Sequence, residues 1–342
     1  MQENAKLCLL RLSAIGDVCH AVALVERIQR MRPDIQITWV IGKVEYQLVC
    51  DIPGIQFIIF DKKQGWRAYQ KLRSDLKGQR FDALFLMQIA LRANIASLFI
   101  KADKTFGFDP ERSKELHHLF ISHPISKQEH PHVLDGFMAF ADAAQIPDGG
   151  ILRWHIPLPD AAQAKAQALC DAHDRFVVIC PSASKAERNW TVEGYQQLAA
   201  WLQSKQMPVL LCGGPSDGER ALAQEIASAG AVTENLTGQT SLKELLAILA
   251  KAALVIAPDT GPAHMATTVG TPVVGLYAHS NPLRTGPYNN KDDVVSVYEE
   301  VISEQQGKPW TELTWGTRAK GPDLMQRITL EQVVAKVKRF LP

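Results

Sequence analysis

The sequence predicts two doubly wound α/β domains, one after the other in the chain and facing each other across a cleft. A chain of 342 residues is too long for one ordinary domain and suits two of about 150 to 170 residues each. Short apolar runs alternate with segments of helical periodicity in the first half, and the alternation starts again at residue 175. Because βαβ units pair their strands in parallel, each half predicts a parallel sheet with helices on both faces. Ligands of such sheets bind beyond the carboxyl ends of the strands, so the loops at those ends are the expected positions of functional residues.

The composition is that of an ordinary globular protein, and it argues against several classes of function. Hydrophobic residues make up 46% of the chain and charged residues 21%. The formal net charge of +1 offers no general attraction for a nucleic acid. The sequence shows no signal peptide and no long apolar run, and its six cysteines form no CxxC pair, which indicates a cytoplasmic protein with reduced thiols. The histidines lack metal-ligand spacing, so we expect no metal site.

In each half, the predicted elements alternate from strand to helix. The first half has predicted strands at 6–11, 35–41, 56–60 and 81–87, and a helix at 17–31 with apolar residues on one face. The second half has predicted strands at 175–180, 208–212, 254–257 and 272–277, with helices at 192–203, 217–229 and 242–250. These elements predict a first domain at 1–155, a linker at 156–174, a second domain at 175–327 and a C-terminal helix at 328–342.

The loop after the first strand ends in an acid. Residues 11–17 read RLSAIGD, in which Gly16 suits a tight turn and Asp17 stands at the start of the following helix. The helix dipole favours an acid at this position, and the same acid could serve as a general base for a hydroxyl group. Spacing alone leaves both interpretations open. The glycines do not form GxGxxG, which argues against a dinucleotide dehydrogenase.

A second loop has the features of an anion site. Residues 257–264 read APDTGPAH and directly follow a predicted strand. Pro262 fits the first position of a helix, and the three residues before it suit capping or close backbone approach. Such a helix start presents free N–H groups and the positive end of its dipole, which predicts a site for a nucleotide diphosphate. An ordinary capped helix is the alternative, and His264 either contacts the ligand or packs inside.

Two further loops follow predicted strands in the second half. Residues 180–190 (CPSASKAERNW) combine hydroxyl groups with Lys185 and Arg188, which suit phosphate oxygens and the charge on a leaving group. Residues 211–220 form a glycine-rich turn in which Glu219 could accept hydrogen bonds from ribose hydroxyls. A solvated loop and a simple turn are the alternatives.

The segment 61–80 is strongly basic. It contains seven Lys and Arg residues against two Asp, with Trp66 and Tyr69 among them. A basic stretch with aromatic residues suits an anionic acceptor or an anionic membrane surface. A solvated helix face is the ordinary alternative.

Two stretches give the chain a family resemblance. RLSAIGDVCHAVAL near the start and APDTGPAHMATTVGTPVVGLYAHSNPLRTGPY far downstream resemble glycosyltransferase family 9, the heptosyltransferases of lipopolysaccharide inner-core synthesis. The resemblance implies the GT-B fold, with two Rossmann-like domains, an acceptor site in the first, a nucleotide-sugar site in the second, and the last helix packing back on the first. The segment at 107–112 (GFDPER) and the basic early helix look more like the enzymes that add the first heptose, to Kdo-lipid A. The family often has a proline where this chain has Ala23.

The resemblance also implies roles for individual residues. Asp17 is the implied catalytic base. The implied donor-binding residues are Ser182, Ser184, Lys185, Arg188, Glu219, Asp259, Thr260, Gly261 and His264. The implied acceptor-binding residues are Lys62, Lys63, Arg67, Gln88 and Arg92.

Together these features predict an inverting glycosyltransferase of lipopolysaccharide inner-core biosynthesis. It would transfer heptose from ADP-L-glycero-D-manno-heptose to Kdo of lipid A, with fixed cations and helix N–H groups replacing a metal, so that we expect no cofactor. We expect a monomer at the cytoplasmic face of the inner membrane. A family 9 transferase with another donor or acceptor, and a non-catalytic nucleotide-sugar-binding protein, are the alternatives.

Overall fold

The computed structural model describes residues 2–341, which form two α/β units, each built on a parallel sheet. The first unit ends at Pro157 and the second begins at Leu158. Within the described residues each sheet has six strands. The predicted division into two doubly wound halves is therefore confirmed.

The first unit has the strand order β3-β2-β1-β4-β5-β6, and all neighbours are parallel. Its strands are β1 (Lys6–Arg11), β2 (Gln36–Gly42), β3 (Ile55–Phe60), β4 (Phe81–Leu86), β5 (Ala102–Gly107) and β6 (His123–Pro124). Its helices are α1 (Ile15–Met31), α2 (Lys43–Val49), α3 (Trp66–Asp75), α4 (Leu91–Ser97) and α5 (Val133–Ala143). The strand order changes direction between β1 and β4, so the loops that follow these two strands leave from a topological switch point.

Apolar burial on both faces holds β1 at the centre of this sheet. Residues 7–10 are completely buried, as expected for a strand of a parallel sheet covered on both sides. On one face, Ala68 and Leu72 of α3 join Ala93 and Ala96 of α4 in a single hydrophobic cluster. On the other face α1 packs against α5. This packing fixes the loop after β1, which carries Asp17.

The second unit repeats the arrangement, with the strand order β12-β11-β10-β7-β8-β9. Its strands are β7 (Val177–Ile179), β8 (Val209–Leu211), β9 (Glu234–Asn235), β10 (Leu254–Pro258), β11 (Val273–Tyr277) and β12 (Val295–Ser296). Its helices are α6 (Asp160–His173), α7 (Val192–Ser204), α8 (Asp217–Ala227), α9 (Leu242–Lys251), α10 (Gly261–Thr268), α11 (Pro282–Thr285), α12 (Tyr298–Gln306) and α13 (Leu330–Val337). Here the order changes direction between β7 and β10, which are followed by two of the loops that the sequence marks as ligand sites.

The structure shows what the segments at the ends of the predicted second domain pack against. The expected linker at 156–174 contains α6, which packs against α9, with Lys165 Nζ 3.1 Å from Glu244 Oε1. In the C-terminal helix, for which the resemblance implies packing on the first domain, Val333 and Val337 are fully buried in the hydrophobic core of the second unit. These two residues lie one turn apart on the apolar face of α13, and the second unit buries that face.

Candidate active site

The loop after β1 fixes the carboxylate of Asp17 through one of its two oxygens. Asp17 is the third residue of α1, and its Oδ2 accepts a hydrogen bond of 3.1 Å from the backbone N–H of Ala14. The same oxygen forms an ion pair with the guanidinium of Arg11. Among residues 2–341, both of these contacts are to Oδ2, and no hydrogen bond of a protein group to Oδ1 is present. Asp17 is thus both a helix-capping acid and a carboxylate with one oxygen left for a ligand.

Arg11, which sequence reasoning did not single out, holds Asp17 in place. Its Nη1 donates to the carbonyl of Met87, just beyond β4, and its guanidinium lies 5.3 Å from the centre of the Phe137 ring. The side chain therefore connects the ends of two central strands with α5. The available signal was an arginine at the last position of an otherwise apolar buried strand.

The residues predicted to bind the acceptor have different environments at the carboxyl edge of the first sheet. Gln88 shapes the loop after β1, because its Oε1 accepts from the N–H of Leu12 at 2.9 Å and its Nε2 lies 3.4 Å from Ser13 Oγ. The cations are exposed: Lys62 and Lys63 in a 3₁₀ turn after β3, Arg67 in the first turn of α3, and Arg92 in the first turn of α4. The structure thus places them at the edge where Asp17 lies.

Glu45 on α2 is a second carboxylate at this edge that the sequence did not reveal. Burial raises the pKa of Glu45, and the charge of Asp17 raises it further, while Lys62 and Arg11 oppose the shift. Gly42 leaves room for this side chain, because a Cβ there would lie 2.3 Å from Glu45 Oε2 and 2.2 Å from the Leu12 carbonyl oxygen. No local pattern of residues around 42–45 predicts that Gly42 lies close to both the Glu45 carboxylate and the Leu12 carbonyl.

In the second unit, the start of α10 presents backbone donors. Thr260 is the N-cap residue in an extended conformation, and its side chain forms no capping hydrogen bond. Pro262 occupies the first turn and has no N–H group. The remaining N–H groups of this turn have no acceptor inside the helix, so this end of α10 can accept an anion.

Asp259, just before α10, is fixed by two neighbours. Its Oδ2 accepts from Ser280 Oγ at 2.6 Å and lies 3.5 Å from Arg188 Nη1. Both charged side chains are largely buried, and Ser280 follows β11, the neighbour of β10 in the sheet. Sequence reasoning missed Ser280, although it too lies beyond the carboxyl end of a predicted strand.

The two cations of the loop after β7 differ in the exposure of their side chains. The Arg188 side chain is 11% exposed and braces Asp259. The Lys185 side chain is 59% exposed and lies 3.7 Å from Glu187 Oε1. Of the two hydroxyl residues, Ser182 is buried and Ser184 exposed. Lys185 is therefore the cation of this loop with freedom to move to a ligand.

Glu219 belongs to a glycine-rich turn built around its carboxylate. Its Oε1 accepts from the Gly214 N–H at 2.9 Å, and its Oε2 accepts from Ser216 Oγ at 2.6 Å. A Cβ at Gly214 would lie 2.7 Å from Oε2, so a larger residue there would displace the Glu219 carboxylate. Thr237, after β9, lies beside this turn, and its buried hydroxyl has no protein partner in the described structure.

The predicted donor residues thus gather at the carboxyl ends of β7, β8 and β10, with His264 buried in the first half of α10. His279, missed by the sequence, follows β11; its Nε2 is buried without a hydrogen-bond partner among residues 2–341. The described residues contain no group of three or more His, Cys, Asp or Glu placed to hold a metal ion. None of their helices has both the length and the apolar character to cross a membrane.

The chain is similar to known proteins over nearly its whole length. The lipopolysaccharide core heptosyltransferase OpsX of Haemophilus influenzae is 45% identical over 335 residues, which cover 98% of this chain and 96% of the relative. Lipopolysaccharide heptosyltransferase 1 of Escherichia coli is 24% identical over 316 residues, or 87% of this chain and 95% of the relative.

Solved structures show the same fold. The family 9 glycosyl transferase of Veillonella parvula has a TM-score of 0.78 at 20% identity, covering 99% of this chain and 97% of the other. The E. coli heptosyltransferase WaaC with ADP has a TM-score of 0.75 at 17% identity, covering 98% and 99%. The family described as glycosyltransferase family 9 (heptosyltransferase) matches residues 69–315. The chain therefore belongs to glycosyltransferase family 9 and is an enzyme of this heptosyltransferase family.

Proposed function

We propose that this enzyme transfers heptose from ADP-L-glycero-D-manno-heptose to a hydroxyl of Kdo on lipid A, with inversion at the anomeric carbon. The observation that carries the proposal is the one-sided hold on Asp17: Arg11 and the Ala14 N–H both engage Oδ2. This leaves Oδ1 to take a proton. The relatives support the pathway, since OpsX is a lipopolysaccharide core heptosyltransferase and E. coli WaaC has been solved with ADP and with ADP-2-deoxy-2-fluoro heptose.

In the proposed step, Asp17 acts on the acceptor. Its Oδ1 accepts the proton of the acceptor hydroxyl while the hydroxyl oxygen forms a bond to the anomeric carbon of the heptose. The bond from that carbon to the diphosphate oxygen breaks, and its electron pair leaves with ADP. Attack opposite the leaving group inverts the anomeric centre. The exposed cations Lys62, Lys63, Arg67 and Arg92 are proposed to bind the anionic acceptor.

The second unit is proposed to bind the donor and stabilise the leaving diphosphate. The first turn of α10 supplies N–H groups to the phosphate oxygens, and Lys185 adds a mobile positive charge. Arg188 and Ser280 keep Asp259 in place beside this turn. Glu219, fixed by Gly214 and Ser216, is proposed to accept hydrogen bonds from ribose hydroxyls. We propose that no metal ion is essential, because these fixed groups neutralise the departing charge.

We further propose a monomer that works at the cytoplasmic face of the inner membrane. The acceptor is a glycolipid, and the exposed basic residues of the segment 61–80 suit a peripheral contact with an anionic surface.

The test is ADP release from ADP-heptose, with and without Kdo-lipid A, for the wild type and Asp17→Asn. Asparagine keeps the shape of the side chain but cannot take the proton, so we expect turnover to fall by about a hundredfold or more while ADP binding is retained. Asp171→Asn, an exposed substitution on α6, serves as the control and should leave turnover unchanged.

The outcomes separate the alternatives. ADP release that needs the acceptor and collapses only in Asp17→Asn supports the proposal. ADP binding without turnover of this pair would point to another donor or acceptor, or to a binding protein. Full activity in the presence of EDTA is expected, and loss of activity that Mg²⁺ restores would overturn the metal-free mechanism.

A further inference from the structure

Large apolar side chains are exposed in one part of the first unit. Nine such side chains are exposed within residues 2–341, and five of them lie on or beside α3 and α4. They are Trp66, Leu91, Leu98, Leu116 and Leu119. Trp66 is 60% exposed, Leu98 69% and Leu119 68%. Single exposed apolar residues need no explanation, but this concentration in one region does.

Contacts between α3, α4 and the loop after β5 keep these residues together. The Trp66 ring lies 5.2 Å from the Tyr69 ring and 6.0 Å from the Phe99 ring, which follows Leu98. Asn94 on α4 lies 2.8 Å from His117, between the two exposed leucines of the loop after β5. The apolar side chains therefore sit on packed elements.

Cations that form no ion pair within residues 2–341 lie beside this apolar region. The acids nearby are held by other groups: Asp75 pairs with Lys71, Asp103 pairs with Arg80, and Glu115 accepts from the Leu91 N–H. Arg73, Lys77 and Lys101 line an open depression of about 470 Å³, together with Phe99, and no acid contributes to its described lining. Within the described residues, no carboxylate lies within 4 Å of Arg67, Lys77 or Lys101. An aromatic wall beside cations is a suitable surface for anionic headgroups.

We propose that this docking surface (Trp66, Leu98, Leu116 and Leu119 with Arg73, Lys77 and Lys101) binds the surface of an anionic phospholipid bilayer. Apolar side chains would enter the boundary between headgroups and acyl chains while the cations meet lipid phosphates. Exposed apolar residues beside unpaired cations favour a bilayer over a second copy of the chain, whose interface would be depleted of lysine at its centre. The inference rests on the proposed function, because only a membrane-embedded acceptor requires such a contact.

The docking surface also has a defined position relative to Asp17. Trp66 begins α3 shortly after β3, and Leu91 begins α4 shortly after β4, so both lie near the carboxyl edge of the sheet. The loop with Asp17 leaves from the same edge, after β1. The cations Arg73, Lys77 and Lys101 lie towards the opposite edge, at the end of α3 and just before β5. The docking surface therefore extends along the face of the sheet that α3 and α4 cover, and its Trp66 end is the part near the edge that carries the Asp17 loop.

The experiment measures binding of the full chain to vesicles in the absence of donor and acceptor. We compare vesicles of phosphatidylcholine with vesicles in which about a third of the lipid is phosphatidylglycerol. The wild type should bind the anionic vesicles at least tenfold more tightly, and high salt should weaken this binding. Trp66→Ser with Leu98→Ser should weaken it by about tenfold or more, and Lys77→Gln with Lys101→Gln by on the order of thirtyfold.

A matched control removes exposed apolar residues elsewhere. Ile151 and Leu283 are also exposed, so Ile151→Ser with Leu283→Ser should leave vesicle binding unchanged. Equal binding to both kinds of vesicle, or wild-type binding by the Trp66 and Leu98 variant, would overturn the inference. So would a wild-type dimer that becomes a monomer on these substitutions, because the partner would then be a second copy.

Transfer to a deacylated, water-soluble acceptor separates this inference from the proposed function. The Trp66 and Leu98 variant should retain turnover on that acceptor while losing vesicle binding. Turnover without any vesicle binding by the wild type would overturn the docking surface and leave the transferase intact. Vesicle binding without turnover would leave the docking surface intact and overturn the proposed transferase activity.

Discussion

At the scale of single residues, the structure assigns a positioning role to an arginine in the first strand. Arg11 contacts Asp17, the carbonyl of Met87 and the ring of Phe137. When one carboxylate oxygen is held by fixed partners, the position of the other oxygen is also fixed. A general base requires such a fixed position, because small displacements of the reacting atoms lower the reaction rate strongly.

Replacing Arg11 should therefore lower kcat while leaving the donor site intact. We expect Arg11→Gln to reduce kcat by about 10- to 100-fold, because Asp17 would keep only the Ala14 N–H. Arg11→Lys keeps the positive charge beside Asp17, so we expect a smaller loss of kcat. Some loss remains, because an ammonium group cannot contact two partners through a planar fork. Steady-state kinetics with KM for ADP-heptose check this result.

The control is Arg80→Gln, which breaks only an exposed ion pair with Asp103. An unchanged kcat in Arg11→Gln, or an equal loss in Arg80→Gln, would contradict the positioning role.

At the scale of elements, the 3₁₀ turn after β5 depends on a neutral histidine. His117 is buried, its Nδ1 lies 2.8 Å from Asn94 Oδ1, and its Nε2 accepts from the Phe108 N–H at 3.2 Å. These partners assign the proton to Nδ1. Burial lowers the pKa of His117 to about 4 from an ordinary value of 6.5. The neutral ring links the turn to α4 through Nδ1–H and to the residue after β5 through Nε2, and protonation of Nε2 would remove the acceptor of the Phe108 N–H.

Protonation of His117 should consequently lower the stability of the folded protein as the pH falls. Between pH 6.5 and pH 4 the unfolded chain binds a proton at His117 that the folded chain does not, so the free energy of unfolding decreases as the pH falls through this window. In His117→Asn the decrease should be smaller, as urea unfolding at several pH values would show. An exposed histidine elsewhere provides the comparison: His155→Asn should keep the wild-type dependence, and identical slopes in all three proteins would refute the assignment.

At the scale of the whole molecule, the C-terminal segment completes the second unit. Val333, Val337 and Leu341 belong to its core, and Trp190 Nε1 donates to the carbonyl of Ile328 at 2.9 Å. Trp190 ends the loop that carries Lys185 and Arg188. A contact made by the end of the chain therefore supports the proposed donor site.

Val337→Asp should consequently destabilise the second unit by about 3 to 5 kcal/mol and abolish ADP binding, because it places a charge in an apolar core. Calorimetry and ADP titration would detect these changes, and the transition of the first unit should be unaffected. Ala335→Asp, on the exposed side of α13, should bind ADP normally. Normal ADP binding by Val337→Asp would argue that α13 is dispensable for the donor site.

The sequence predicted elements better than it predicted contacts. The run at 6–11 coincides with β1, because a buried central strand is apolar throughout and ends where the loop begins. The loops after β7 and β10 were identified by the rule for parallel sheets. The ion pair of Arg11, the burial of Glu45 and the bond from Ser280 to Asp259 depend on side-chain directions that periodicity does not specify. The burial of Val333 and Val337 in the second core follows from the apolar face of α13, which the sequence does not assign to a particular partner.

The dependence of the second core on Val337 and Leu341 also has a consequence during synthesis on the ribosome. The first unit, which ends at Pro157, can acquire its own core while translation continues. The second cannot complete its core until the segment with Val337 and Leu341 has emerged, which takes on the order of ten seconds or more after the first unit at ordinary elongation rates. During that interval β7, β8 and β10 expose apolar surface, so this stretch of the nascent polypeptide is where we expect chaperones to bind.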